Sequence, residues 1–285
     1  MNPNDFYNFP FTPKPKSSLE DLIKILGTPS TGRKTLLSGL QETSPPKTAP
    51  SFSDSLVRVK TDLSRATTCD ITDGRGLPAA DTLGLAEGRK LKAAILYCDI
   101  RGFTSAVFNN PNRKMLLVLD AFVSEMARIT ADFNGSLVDC AGDRIMSVFA
   151  RPHNDSTAKP IQEAVVCAFW MQTIVQKVLN AHLTEKRLPN INCGVGIDYG
   201  SVVVGRVGIR NKNKLVVLGN PANFAAKLED KAAPGEVNVS KIVFENRPEH
   251  MKTRAEWVFT PKPTILTVEY YSCNLIYLGP TAPTA

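Results

Sequence analysis

Three short segments of this chain carry residues whose types and spacing could do chemistry. Asp99 lies near the end of an apolar run, Lys92–Ile100, and Arg101-Gly102-Phe103-Thr104 follow it. A carboxylate at the end of a buried strand is costly unless it is paired or meets a cation. The N–H groups of a tight turn just beyond it can face phosphate oxygens. Asp143 follows Gly142 between two strand-like runs, Ser136–Ala141 and Ile145–Ala150, which is a hairpin signal. Two carboxylates brought together there could hold hard divalent cations along with triphosphate oxygens. In the third segment Asn223 and Lys227 stand four residues apart after Gly219-Asn220-Pro221, so they share one face of a helix near its start. An amide and an ammonium so placed suit a ribose and a phosphate. Taken singly, each has a plainer reading: an Asp capping a turn, a hairpin-tip residue, an exposed helix face.

The elements that must position these residues follow from periodicity. After the Lys92–Ile100 strand, Met115, Leu119, Phe122, Met126 and Ile129 recur at helical spacing within Asn112–Asn134. The Gly142-Asp143 hairpin follows, then a second long helix over Ile161–Leu183. Asn190–Tyr199 and Ser201–Val207 read as a strand pair turning at Gly200, and Lys214–Leu218 as a further strand. Pro221 starts a helix over Asn220–Lys231 that ends before Pro234-Gly235. A short strand at Glu236–Val239 and a hairpin from Trp257–Phe259 and Ile265–Leu278 complete the chain. Strand, helix, strand, strand, helix, strand is the ferredoxin-like split βαβ order. It predicts an α+β fold, an antiparallel sheet with helices on one face. The first and third strands then lie side by side, which brings the end of one near the hairpin tip of the other.

The first 90 residues read differently. Eight of the 20 prolines fall within the first 50 residues, among Ser, Thr and Asn. Residues 1–90 are expected to be a largely irregular Pro/Ser-rich extension with short helices after Ser18 and over Asp54–Arg65. Residues 91–285 are expected to form the working domain.

Composition excludes several classes. The chain has 285 residues, 43% hydrophobic and 21% charged, ordinary for a globular protein. Six cysteines without a C-x-x-C pair, and three histidines, argue against a zinc ribbon, a thioredoxin motif or a disulfide framework. Met1–Pro13 lacks a charged and then apolar leader, and no apolar run approaches membrane-spanning length. The expectation is a cytoplasmic protein with no membrane partner. The net charge of +7 is spread along the chain rather than blocked. No paired aromatic platform for RNA is apparent, so no nucleic-acid partner is expected.

The combination is more specific than its parts. Ile95-Leu96-Tyr97-Cys98-Asp99-Ile100-Arg101-Gly102-Phe103-Thr104, then Gly142-Asp143-Arg144-Ile145-Met146-Ser147, then Gly219-Asn220-Pro221-Ala222-Asn223-Phe224-Ala225-Ala226-Lys227-Leu228 resemble the class III nucleotidyl cyclase catalytic domain. The resemblance covers Lys92 to Val239 in detail and extends loosely to Leu278. It implies a homodimer with shared active sites. Asp99 and Asp143, with the Ile100 carbonyl, would hold two Mg²⁺ or Mn²⁺ ions per site. Phe103 and Thr104 would meet the triphosphate, and Asn223 and Lys227 of the other chain would orient the ribose and stabilise the transition state.

The departures bear on the substrate. The family usually has Arg at the position of Lys227, and lysine offers a point charge where arginine offers a fork. Adenylate cyclases usually carry Lys, and guanylate cyclases Glu, where this chain has Asp139. The second base-selecting position falls on Val216, which has no polar atom. Tyr97 replaces a common Phe and lies on the same strand face as Asp99. This set is similar to the pyrimidine cyclases of the bacterial Pycsar anti-phage systems. It implies UTP, then CTP, as substrate and a cyclic-nucleotide-responsive effector downstream. An adenylate cyclase with a divergent pocket, and an inactive homologue acting as a regulatory module, are the alternatives.

Overall fold

In a computed structural model, residues 52–64, 71–74, 76–150, 158–209, 211–255 and 257–274 are described. The chain divides into two units, Met1–Thr68 and Cys69–Ala285. In the first, α1 (Phe52–Ser64) matches the short helix expected over 54–65. The helix expected after Ser18 lies outside the described residues, as does the end of the last expected strand.

The second unit is built on β2 (Gly88–Ile100), preceded by a short β1 (Ile71–Asp73). Two helices follow, α2 (Phe103–Asn109) and α3 (Asn112–Asp132), then the hairpin β3 (Ser136–Ala141) and β4 (Arg144–Ala150). The second long helix, α4 (Ala158–Ile174), continues through a π turn, Val175–Leu179, into α5 (Asn180–Glu185). Next come β5 (Cys193–Ile209), β6 (Lys212–Leu218), α6 (Asn220–Asp230) and β7 (Val237–Ser240). Short helices α7 (Lys241–Glu245) and α8 (His250–Thr253) lead to the hairpin β8 (Thr260–Ile265) and β9 (Val268–Cys273). The sheet order is β3-β4-β2-β5-β7-β9-β8, with β1 beside β2 and β6 beside β5. Its β3-β4-β2-β5 portion is the expected antiparallel split βαβ arrangement, and β7 then adds parallel to β5.

β2 reads as a continuous apolar run because both its faces are covered. Ala94, Leu96, Cys98 and Ile100 pack under α3 and α4 with Val118, Phe122, Met126, Ile161, Val165 and Ala168. Against the expectation that no apolar run approaches membrane-spanning length, the helix Ala158–Glu185 is apolar and long enough to cross a membrane by length and composition. Its Ile161, Ala164, Val165, Cys167, Ala168 and Met171 are all buried in this core, which accounts for its composition.

The two long helices share one face, as expected, while α6 lies on the other, where Ala222 and Ala225 pack with Leu91, Ala93, Ile95, Val202 and Val204. What admits it is a row of glycines on β5. A Cβ on Gly196 would stand 2.2 Å from both the Ala225 carbonyl oxygen and the Glu229 nitrogen, and one on Gly200 would stand 2.8 Å from Pro221 Cγ. The helix backbone therefore rests directly on the strand. This corrects the expected turn at Gly200: β5 is one unbroken strand from Cys193 to Ile209, and its glycine serves close approach rather than reversal. Gly196→Ala is expected to cost about 3 kcal/mol, because the atoms it meets are backbone and cannot rotate away. A denaturation midpoint equal to wild type would contradict this seating of α6. A second correction falls on the last hairpin. Its turn is Leu266-Thr267, both at positive φ (51° and 67°), within the stretch expected to be continuous strand.

Candidate active site

The sheet register assembles the site. Asp99, near the end of β2, lies opposite Arg144 on β4 and Gly194 on β5. Gly142 takes φ +67° at the first central position of the two-residue turn joining Ala141 to Arg144, and Asp143 takes the second. The Asp99 carboxyl is pushed up to about 6, by burial first and then by the Asp143 carboxylate beside it, against the pull of the Arg101 guanidinium. Two like charges held together in a half-buried place call for a cation between them. The two carboxylates are hard oxygen donors, and the Ile100 carbonyl, the main-chain oxygen of the residue after Asp99, is the expected third. Among the described residues no cluster of three or more His, Cys, Asp or Glu could hold a metal. A cation held here would keep positions for substrate oxygens, which suits Mg²⁺ or Mn²⁺ bound with a triphosphate.

Beyond the turn, Gly102 (φ +72°) caps α2. It places Phe103 and Thr104 in the first helical turn, where N–H groups have no helical acceptor. The sequence offered no helix between this turn and Asn112.

Beside the aspartates the same sheet face carries Tyr97, opposite Met146 on β4, which is itself opposite Asp139 on β3. The Tyr97 phenol is raised above its ordinary value, by burial first, with the Asp139 carboxylate adding to it and the Arg144 guanidinium opposing. Arg144 Cζ stands 5.9 Å from the Tyr97 ring centroid. Asp139 is engaged on both oxygens: Oδ1 accepts from the Cys140 N–H at 3.1 Å, and Oδ2 accepts from Lys214 Nζ at 3.0 Å. Lys214 escaped the sequence reading. It is 75 residues from Asp139, and only the closeness of β6 to β3 joins them. Val216, two residues further along β6, shares the face of Lys214, while Leu215 and Val217 turn into the core.

Asn223 and Lys227 are exposed on α6, and Ala222, Ala225, Leu228 and Glu229 between and beyond them are buried. Among the described residues no hydrogen bond or ion pair joins either side chain to Asp99 or Asp143. The inward Glu229 links α6 to the turns that carry Asp99 and Asp143 instead. It contacts Arg101, and its Oε2 lies 2.5 Å from Arg144 Nη2. Arg144 also contacts Asp230.

A further carboxylate lies on this face. Burial pushes Asp198 up to about 6, against the nearby Ser240 hydroxyl and a hydrogen bond donated by the Tyr199 N–H. Because its folded value exceeds the unfolded one, the folded protein holds the extra proton between about pH 4 and 6. The stabilisation is then lost as pH rises through about 6. Asp198→Asn is expected to raise the melting temperature at pH 7.5 and to leave it near wild type at pH 4.5. Equal changes at both pH values would contradict this.

Residues 86–256, more than half of the chain, match the family described as "Adenylate and Guanylate cyclase catalytic domain". The chain belongs to this family. The cyclase domain is 27% identical over 164 residues to a uridylate cyclase of Rhodovulum sp. (strain MB263), covering 55% of this chain and 66% of that one. It is 29% identical over 189 residues to a uridylate cyclase of Burkholderia cepacia, covering 60% and 80%. An adenylate cyclase of Anabaena cylindrica is 28% identical over 154 residues, but the match spans only 28% of that protein. Among solved structures, the adenylyl cyclase CyaB from P. aeruginosa aligns at TM-score 0.58 and 22% identity, over 66% of this chain and 95% of that one. The guanylyl cyclase Cya2 aligns at 0.57 and 24%, over 65% and 93%. At these identities the two structures establish the fold, a class III cyclase fold.

Proposed function

We propose that this protein is a metal-dependent nucleotidyl cyclase. It converts a pyrimidine nucleoside triphosphate, UTP in preference to CTP, to the 3′,5′-cyclic nucleotide and pyrophosphate. The observation that carries the substrate is the group formed by Tyr97 and Asp139, near each other beside Asp99, with Lys214, whose ammonium reaches Asp139 from β6. A carboxylate, an ammonium and a phenol offer one acceptor and two donors. Uracil presents one N3–H flanked by two carbonyls. Asp139 accepts from N3–H, and Lys214 and Tyr97 donate to the carbonyls. Cytosine keeps the O2 carbonyl but presents an N3 acceptor and an N4 amino donor in place of N3–H and O4, so two of the three contacts are mismatched and it is served less well. The apolar Val216 offers a purine amino or carbonyl group nothing. Two relatives named uridylate cyclase agree with this reading.

Asp99 and Asp143, with the Ile100 carbonyl, would hold two Mg²⁺ or Mn²⁺ ions, which when bound lower the pKa of the ribose 3′-hydroxyl and offset triphosphate charge. The N–H groups of Phe103 and Thr104 hold phosphate oxygens. The 3′-hydroxyl gives up its proton to solvent, its oxygen attacks the α-phosphorus, the bond from that phosphorus to the oxygen bridging to the β-phosphorus breaks, and pyrophosphate leaves. The exposed pair on α6 serves the other chain of a homodimer: the partner subunit's Asn223 orients the ribose, and the partner subunit's Lys227 meets the charge that builds on the α-phosphoryl oxygens. The closeness of Asp99 and Asp143 weighs against an inactive homologue, since without a cation that juxtaposition only costs stability. The product is read as a cytoplasmic messenger for a cyclic-nucleotide-responsive effector in anti-phage defence.

Substitution at Lys214 tests the base reading. Lys214→Ala removes one donor and leaves Asp139 unneutralised, so kcat/KM for UTP is expected to fall about 10²-fold relative to that for ATP. Tyr97→Phe, which removes only the hydroxyl, is expected to act in the same direction. A UTP-to-ATP ratio unchanged in both variants would contradict the assignment.

A further inference from the structure

Glu229 is fully buried, and it sits where the two metal-bearing turns converge. Arg101, two residues after Asp99, and Arg144, immediately after Asp143, both direct their guanidinium groups at its carboxylate. The path is built for this. The Glu229 nitrogen rests against Gly196, and the Arg101 side chain crosses Gly194, where a Cβ would stand 2.8 Å from Arg101 Nε. Arg101 Nη2 contacts Glu229 and is only 3.6 Å from Asp99 Oδ2. Arg101 thus has two carboxylates within reach, Glu229 on α6 and Asp99 facing the substrate, while Arg144, held by Glu229 and Asp230 on α6, lies directly across the sheet from Asp99.

We propose that Glu229 is a positioning residue that draws Arg101 and Arg144 away from Asp99 and Asp143, leaving both carboxylates free for a divalent cation. An arginine is always charged and pairs readily with a carboxylate. With Glu229 neutral, Arg101 moves the short distance to Asp99 and occupies the place of the cation. The pull comes from α6, the helix that presents Asn223 and Lys227. One buried carboxylate therefore ties metal readiness in a chain's own site to the helix it lends to its partner. The inference rests on the metal reading of Asp99 and Asp143.

The test is Mn²⁺ binding followed by the EPR signal of the free ion, with no nucleotide present. Glu229→Gln is expected to weaken Mn²⁺ binding at least tenfold. The double variant Glu229→Gln/Arg101→Met is expected to bring it back to within about threefold of wild type, since it removes the competing cation. A merely structural role for Glu229 would not be rescued in this way. Unchanged binding in Glu229→Gln, or a double variant as weak as the single, overturns the proposal. Should Glu229→Gln not fold, Arg144→Met serves, because it leaves Glu229 to Arg101 alone. Binding as tight as wild type or tighter is expected, and weaker binding overturns the proposal. Wild-type binding that survives Asp143→Ala would overturn the metal reading itself, a result distinct from failure of the Glu229 variants.

Discussion

Asp143→Ala is expected to lower cyclisation at least 10³-fold, about 4 kcal/mol of transition-state stabilisation, while leaving the fold intact. The two halves of this expectation have separate physical grounds. In the proposed donor set Asp143 is one of two carboxylates, so its loss halves the charge offered to a cation. It also raises the cost of ionising Asp99, so its removal relieves repulsion in the metal-free protein. The melting temperature without metal is therefore expected to stay level or rise. Retained activity within about tenfold of wild type would contradict the metal assignment. A large loss of stability would show that Asp143 is a structural turn residue.

Mixed chains give the second large effect. Asp143→Ala and Asn223→Ala are each expected to be inactive alone. Co-refolded in equal amounts, half of the dimers are mixed, and each mixed dimer holds one intact site. About a quarter of wild-type activity is then expected to return. The ground is the exposure of Asn223 and Lys227 on the outer stripe of α6, where among the described residues no hydrogen bond or ion pair joins them to the chain's own Asp99 or Asp143. A mixture that stays inactive would contradict shared sites. Lys227→Ala is expected to lower turnover about 10²-fold, as loss of a charge-stabilising donor does. Lys227→Arg tests whether a fork serves better than a point charge.

Much of this was legible in the sequence because it rests on local signals. Periodicity gave the strand and helix order, and Gly142-Asp143 announced the hairpin that carries one carboxylate. What escaped depends on contacts between segments far apart in the chain. Gly200 read as a turn because glycine permits turning, yet here it is glycine so that Pro221 can approach the strand. The face chosen by α6 follows from that same row of glycines, which alternates with the core residues of β5. Lys214 carries no local signature, and its meaning comes only from Asp139 across the sheet. Glu229 carries no local signature either, and nothing nearby in sequence shows that two arginines from separate turns converge on it. The Leu266-Thr267 turn lacks the glycine or asparagine that usually marks positive φ.

The base carried by the cyclic product separates a pyrimidine substrate from a purine one. The full-length wild-type protein is incubated with equal concentrations of ATP, GTP, CTP and UTP in Mn²⁺, and the cyclic products are separated and identified by mass. Cyclic UMP is expected to dominate, with cyclic CMP second. Cyclic AMP or cyclic GMP as the main product would contradict the pyrimidine reading.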